Sequence, residues 1–335
     1  MACDIGIDLG TSSTLIYMKG SGIVLNEPSV IAVSKTNNKI MAIGNEAKEM
    51  LGRTPGGITA HRPIKEGVIA NFDMTVEMLK YFIKKVARNS FSKIRTVVCI
   101  PSGVTEVEKR AVEEATLTAG AREVYLVEEA MASAIGAGIE VNAPIGSMVA
   151  NLGGGTSDIA VISLGGIVTS QSLRVSGNSF DNAIIQYLKK TRNLLVGEIT
   201  AEEIKIKVGS AYPLKEELMV ECRGRDTISG LPVTVEIKSN EIREAMQECV
   251  DEILDAVKIT LEKTPPELAA DVIDSGIILT GGGGMLRGFG KLLNVNTEIP
   301  VYMAESPLEC AAIGAGKILE EIDSLRQVLI TARKR

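Results

Sequence analysis

Apolar and polar positions follow two different periods along this chain, and the switches between them predict its elements. Residues 4–7 read as an apolar strand, residues 8–14 as a turn rich in Gly, Ser and Thr, and residues 15–19 as the partner strand. From 22 to 43 apolar and polar residues alternate, which predicts short strands in a small insert. Helical spacing marks 74–86. A compact apolar strand over 96–100 closes at Pro101-Ser-Gly103, and the helix predicted over 105–119 opens with the capping pattern Thr105-Glu-Val-Glu108. A strand at 124–127 leads into a helix of small residues, 130–137.

The pattern then restarts. A strand at 147–152, the turn Gly153-Gly-Gly-Thr156 and a return strand at 158–164 repeat the opening unit. Repetition of a whole strand–turn–strand module implies duplication, with the two copies facing each other. Helices are predicted over 180–191 and 201–208, and strands over 216–223 and 234–237 around a turn at Gly230-Leu-Pro232. Residues 239–262 read as one long helix stopped by Pro265-Pro266. A buried strand at 277–279 feeds Gly281-Gly-Gly-Gly284, and the chain closes with a helix from Leu308 and a basic tail, Arg333-Lys-Arg335. No low-complexity linker divides the halves, so one packed body is expected.

Composition narrows the class. The 335 residues suffice for two ordinary domains or one bilobed unit. Hydrophobic residues make up 45% and aromatics only 3%, with no Trp, so the core is aliphatic. A net charge of −6 argues against a nucleic-acid binder. Cys3, Cys99, Cys222, Cys249 and Cys310 form no C-x-x-C pair, which suits reduced, buried thiols of a cytosolic protein. No signal peptide is expected, and no apolar run reaches the roughly 18 to 20 residues of a spanning helix. The single His, His61, is expected on the surface of the first insert without a catalytic role.

The two turns carry the chemistry. In the first, Gly10 lets backbone approach a phosphate closely, while the hydroxyls of Thr11, Ser12, Ser13 and Thr14 and the backbone N–H groups can hold its oxygens. Asp8 at the mouth can hold metal-bound water. Gly153, Gly154, Gly155 and Thr156 can act the same way from the other side. One Gly-rich turn is most often an ordinary β-turn. Two matching turns, with a third Gly cluster after a strand, point to a nucleoside triphosphate and a divalent metal in a cleft between the halves. The chain has no G-x-x-x-x-G-K-[ST] and no G-x-G-x-x-G after its first strand, so it is neither a P-loop nor a Rossmann protein.

These hairpins, the small-residue helices over 129–138 and 310–316 and the Gly281–Gly284 turn resemble the actin, DnaK-type chaperone and sugar-kinase superfamily. Within it the chain resembles the MreB family of bacterial actins over nearly its full length. The resemblance rests on Asn26-Glu-Pro-Ser-Val30, Ile100-Pro-Ser-Gly-Val-Thr-Glu-Val-Glu-Lys-Arg110, Ala201-Glu-Glu-Ile-Lys205, Arg223-Gly-Arg-Asp226, Glu262-Lys-Thr-Pro-Pro-Glu-Leu-Ala269 and Leu279-Thr-Gly-Gly-Gly283. It implies an α/β, actin-like bilobed ATPase fold of two duplicated ribonuclease-H-like domains with two small inserted subdomains. The first large subdomain would span 1–32, 66–145 and 315–335, with 33–65 as its insert. The second would span 146–180 and 246–314, with 181–245 as its insert.

The resemblance also implies roles. Thr11, Ser12, Ser13 and Gly153 to Thr156 match phosphate loops. Glu202 and Lys205, one helical turn apart, match the pair that holds adenosine, and Gly281, Gly282, Gly283 and Gly284 match the turn under adenine. Glu129 matches the carboxylate that positions the attacking water, Thr156 its partner, and Asp158 a further catalytic carboxylate. Asp8 and, through water, Asn151 would hold Mg²⁺ beside ATP. Three positions depart from the family: Asn151 stands for an Asp, Asp158 for a Glu and Asn178 for an Asp. Nucleotide binding with slowed hydrolysis to ADP and phosphate is therefore expected.

The binding chemistry alone permits a filament subunit, a chaperone ATPase or a small-molecule kinase. No segment suits a chaperone's substrate domain or a sugar site. The resemblance implies head-to-tail, paired protofilaments at the inner face of the cytoplasmic membrane, with wall-synthesis and membrane partners of the MreC, MreD and RodZ type, setting rod shape. Phe91, among Arg88, Lys93 and Arg95, is the candidate membrane contact.

Overall fold

In the computed structural model, which describes residues 3–87 and 94–334, the opening apolar run forms an antiparallel ribbon of β1 (Cys3–Leu9), β2 (Ser13–Met18) and β3 (Gly22–Pro28). The first insert follows. Strands β4 (Ile31–Ser34) and β5 (Ile40–Ile43), helix α1 (Asn45–Met50) and strand β6 (Ile58–His61) enclose a small core of Val30, Ala32, Ala42 and Ala47. A ribbon of β7 (Ile64–Lys65) and β8 (Val68–Ile69) returns the chain to α2 (Phe72–Val86), β9 (Ile94–Ile100), α3 (Glu106–Thr118), β10 (Glu123–Glu128) and α4 (Glu129–Gly136). The expected capping box starts α3: Thr105 N–H donates to Glu108 Oε2 (2.7 Å) and Glu108 N–H to Thr105 Oγ1 (3.3 Å).

The second half repeats this plan with β11 (Ser147–Leu152), β12 (Ser157–Ser163) and β13 (Gly166–Leu173). Its insert joins α5 (Gly177–Arg192), β14 (Leu194–Leu195), α6 (Glu198–Val208), β15 (Met219–Asp226) and β16 (Pro232–Lys238). Then come α7 (Ser239–Glu262), α8 (Pro266–Ser275), β17 (Ile277–Thr280), α9 (Gly281–Gly284), α10 (Phe289–Thr297), β18 (Val301–Met303) and α11 (Cys310–Glu320). A short 3₁₀ turn (Arg326–Val328) leads to β19 (Leu329–Lys334).

The main sheets have the strand orders β19-β10-β9-β1-β2-β3 and β13-β12-β11-β17-β18. Each has three antiparallel strands followed by two parallel additions, which is the predicted duplication. Because both faces of each sheet are covered, the central strands are apolar runs rather than alternating ones. Helices α2 and α3 cover the outside of the first sheet, with Met78, Leu79 and Phe82 fully buried. Phe180, Ile242, Ile253 and Phe289 do the same for the second. Between the sheets lie α4 and α11, packed with Val97, Val127, Val149 and Ala160. This middle layer holds the two halves together and sets the floor of the cleft.

Several elements differ from expectation for local reasons. The β15–β16 turn lies at 227–230, where Asp226 Oδ1 accepts Ile228 N–H (3.0 Å) and Ser229 N–H (2.6 Å). Pro232 opens β16, an edge strand, where a missing N–H is tolerated. Pro266 does not only stop α7; it is the first residue of α8. Arg333 and Lys334 of the basic tail belong to β19, antiparallel to β10 at the sheet edge.

Candidate functional site

Strands β1 and β11 each run into a Gly-rich turn, and both turns face one cavity of about 860 Å³, within the size range of small-molecule sites. The first turn contributes Asp8, Gly10, Thr11, Ser12 and Ser13 to its wall, and the second Asn151, Gly153, Gly154, Gly155 and Thr156. The turns touch each other. A Cβ on Gly154 would lie 2.0 Å from Ser12 Oγ, and one on Gly155 would lie 2.1 Å from Thr11 Oγ1. Glycine at both positions is what allows the halves to meet here. Ser12 Oγ also donates to Asn178 Oδ1 (3.1 Å) at the start of α5, and Gly67 N–H donates to Thr11 Oγ1 (2.9 Å). Thr14 does not reach the cavity: it is buried beneath the turn, paired with Ser29 Oγ (2.9 Å), which donates to Gly10 C=O (2.6 Å).

The opposite wall comes from α6 and the β17–α9 junction. Glu202, Lys205, Gly281, Gly282 and Gly283 line it, with Met285, Leu286 and Arg287. Gly281 has φ +77°, and a Cβ there would meet Leu152 C=O at 2.3 Å, so the tight approach requires glycine. Gly284 is buried and is not part of the wall. Glu202 and Lys205 do not pair with each other. Lys205 Nζ donates to Gly177 C=O (2.8 Å) and lies 2.8 Å from Asp181 Oδ1, while Glu202 Oε2 lies 3.1 Å from Lys48 Nζ.

At the floor, Glu129 is the first residue of α4. Its Oε1 accepts Asn151 Nδ2–H (2.8 Å), and Thr280 Oγ1–H donates to Asn151 Oδ1 (2.9 Å). Glu129 is thus held by Asn151, a partnership that nothing in the spacing signals, and it shares the cavity wall with Thr156.

The family model described as MreB/Mbl protein matches residues 2–327. The cell shape-determining protein MreB of Escherichia coli (strain K12) is 53% identical over 326 residues, covering 96% of this chain and 94% of the relative. The chain belongs to the MreB/Mbl family. The cell shape-determining protein Mbl of Bacillus subtilis (strain 168) is 51% identical over 325 residues, covering 97% of this chain and 98% of the relative. MreB5 of Spiroplasma citri, solved bound to ADP, matches with a TM-score of 0.92 at 36% identity, covering 97% of this chain and 98% of that one. The same protein bound to AMPPNP gives 0.91. These likenesses bear out the actin-like fold.

In this MreB/Mbl chain no cation among the described residues pairs with the floor acids Asp8 and Glu129. Burial pushes Asp8 up to about 7. Burial first, then the charges of Asp8 and Asp158, hold Glu129 well above the usual carboxylate range, against the pull of the Asn151 hydrogen bond. The cations among the described wall residues are engaged elsewhere, Arg287 through Ile206 C=O (2.7 Å), Lys48 and Lys205 as above. Among the described residues no three His, Cys, Asp or Glu side chains converge as a metal cage. Two uncompensated acids at the mouth of two apposed turns suit an Mg²⁺ ion held through water and phosphate oxygens.

Asp158 lies behind the second turn, 0% exposed, and is not part of the cavity wall. Its Oδ1 accepts Ser102 N–H (2.8 Å), and the Ser172 and Thr156 hydroxyls lie against the carboxyl and partly offset its burial. Burial raises it from 3.8 to about 6, a cost of at most about 3 kcal/mol for carrying its charge at neutral pH. A folded-state value above the unfolded one favours folding at low pH, and that advantage is lost as pH rises from about 4 to about 6. Asp158→Asn keeps the Ser102 bond and removes the charge. It is expected to raise the melting temperature at pH 7.5 by a few degrees and to leave it unchanged at pH 4. Thermal unfolding at the two pH values checks this.

Phe91, Arg88 and Lys93 lie outside the described residues. Arg95 is paired with Asp4, its Nε donating to Oδ1 (2.8 Å).

Proposed function

We propose that this chain is an ATP-switched subunit of a bacterial actin-like filament that sets cell shape. The observation that carries the reading is the meeting of the two Gly-rich turns over one cavity floored by the carboxylates of Asp8 and Glu129. The turns would hold the phosphates, with Thr11, Ser12, Ser13 and Thr156 supplying hydroxyls. Glu202 and Lys205 would hold the adenosine, above Gly281 to Gly283. When bound, Mg²⁺-ATP would supply the phosphorus to be attacked and a positive charge beside Asp8 and Glu129. Asp8 would hold metal-bound water, and Glu129, oriented by Asn151, would orient the attacking water and receive its proton. The solved MreB5 structures with ADP and AMPPNP support a nucleotide here.

Assembly draws support from two exposed apolar surfaces on separate elements. One is the β15–β16 turn with Ile228 (80% exposed) and Leu231; the other is formed by β18 with Tyr302 (53% exposed) and Met303, beside Val295 of α10. Two different patches give a heterologous contact, which extends instead of closing. Pelleting at micromolar concentration tests the reading. ATP is expected to bring most of the protein down, and Ile228→Asp to leave it in solution. A chain that stays monomeric with ATP would mark a stand-alone enzyme of the same superfamily.

A membrane address for the filament draws on strand register. Pairings Cys3 with Ile94, Arg95 with Glu123, and Glu123 with Lys334, and the Arg122 N–H bond to Ile94 C=O, bring Arg122, Arg333 and Lys334 to one end of the first sheet, beside the Arg95–Asp4 pair. Such a basic end suits an anionic lipid surface. From there the filament would engage membrane and wall-synthesis proteins of the MreC, MreD and RodZ type and direct wall growth.

A further inference from the structure

The mouth of the cleft is bridged by side chains from opposite halves. Lys48, on α1 of the first insert, places Nζ 3.1 Å from Glu202 Oε2 on α6. Arg62, just after β6, places Nη2 3.8 Å from Glu198 Oε2, one turn earlier on the same helix. Lys48 and Glu202 both line the cavity, and Lys48 is the one cation that the first half gives to the wall among the described residues.

Both ends of this bridge stand on fixed supports. Helix α1 begins at Asn45, whose N–H donates to Glu27 Oε2 (3.3 Å), and Glu27 is buried and paired with Lys85. Gly44 has φ +71°, and any Cβ there would collide with the Glu27 carboxylate, so α1 sits directly on β3. On the other side, Arg287 Nη1 donates to Ile206 C=O (2.7 Å) and ties α6 to the β17–α10 connection. The Lys48–Glu202 distance therefore reports how far the two halves are closed.

We propose that Lys48 is a positioning residue for the nucleotide: it holds the Glu202 carboxylate at the sugar, so that the grip on the ribose hydroxyls is complete only when the halves close. This rests on the ATP reading of the cleft. Nucleotide release then requires the pair to part, which couples the lifetime of the bound nucleotide to opening. Both side chains are partly exposed, at 39% and 34%. A pair of that kind is modest and screened by salt, and the expected effect is about two- to fivefold.

The test follows release of ethenoadenosine triphosphate, labelled on the base so that the sugar is intact, by stopped flow on the full chain. Lys48→Met is expected to release it about two- to fivefold faster at low salt, with the difference shrinking at high salt. Lys48→Arg should restore slow release. In a Glu202→Gln background Lys48→Met should add nothing, and with the 2′-deoxy nucleotide its effect should shrink. A general loss of structure would not follow that pattern. Release from Lys48→Met equal to wild type, or an undiminished effect on top of Glu202→Gln, would overturn the proposal while leaving the ATP site intact. Wild-type chain that binds no labelled nucleotide would overturn the ATP reading itself, and this inference with it.

Discussion

Gly314→Ala is expected to destabilise the chain by about 3 kcal/mol, and Gly136→Ala by a similar amount. Both residues sit where α4 and α11 cross between the two sheets. A Cβ on Gly314 would lie 1.8 Å from Ala132 C=O, and one on Gly136 would lie 1.9 Å from Cys310 C=O. The obstacles are backbone atoms of the partner helix, so no rotamer change relieves them. The better helix propensity of Ala, worth up to about 1 kcal/mol, acts in the opposite direction and is too small to compensate. The layer is tight on its other side as well, since a Cβ on Gly6 in β1 would meet Gly316 N at 2.4 Å. Separation of the helices would also move Glu129, the first residue of α4, so nucleotide binding should weaken together with stability. Thermal and urea unfolding measure the first effect. Gly56→Ala, where nothing lies within 4 Å, is the control and should change stability by less than about 0.5 kcal/mol. An unchanged unfolding midpoint in Gly314→Ala would mean that the middle layer is looser than these distances state.

The parts of this fold that were legible in the sequence are those whose own pattern decides their structure. The duplicated hairpins announce themselves by an apolar run, a Gly-rich turn and a second run, and α7 is bounded at both ends by an unbroken helical period over 239–262. The α3 capping box needs only four residues to be seen. What escaped depends on partners distant in sequence. The basic segment over 329–334 becomes a strand because β10 offers an open edge to pair with. Pro265-Pro266 reads as a stop, yet Pro266 also starts α8. In the site, Thr14 has the same hydroxyl as its neighbours, and only the fold turns it toward Ser29. Asn151 stands out as a departure from the resembling family, but its bonds to Glu129 and Thr280 belong to three separate elements. Lys48 carries no motif at all; its place opposite Glu202 is a product of how the inserts face each other.

Glu129→Gln is expected to slow phosphate release about 100- to 1,000-fold while leaving nucleotide affinity within about threefold. A glutamine in this place can still accept the Asn151 Nδ2–H bond, so the side chain stays where it is, but it cannot take a proton from water. The complementary change is Asn151→Asp. It would set a second carboxylate where the amide now donates to Glu129 Oε1 across 2.8 Å. Without a cation the two would repel, pushing Glu129 further above the usual carboxylate range. Both Asp8 and Glu129 are already raised in the folded chain, Asp8 from 3.8 to about 7, so this part of the stability is greatest at low pH and is lost as pH climbs from about 4 through about 7. In Asn151→Asp that loss should deepen in the absence of divalent metal and be relieved when Mg²⁺ and ATP are added. With the charge compensated, the added acid should speed phosphate release about ten- to hundredfold, the equivalent of about 1.5–3 kcal/mol from a hydrogen bond to a charged group. Equal turnover in Asn151→Asp and the natural chain would show that Asn151 does not limit hydrolysis. If Glu129 is the proton acceptor, as proposed, and Asn151→Asp changes only its neighbour, combining Glu129→Gln with Asn151→Asp should return the chain to the slow rate of Glu129→Gln alone. A double variant faster than that would place the proton acceptor elsewhere in the cleft.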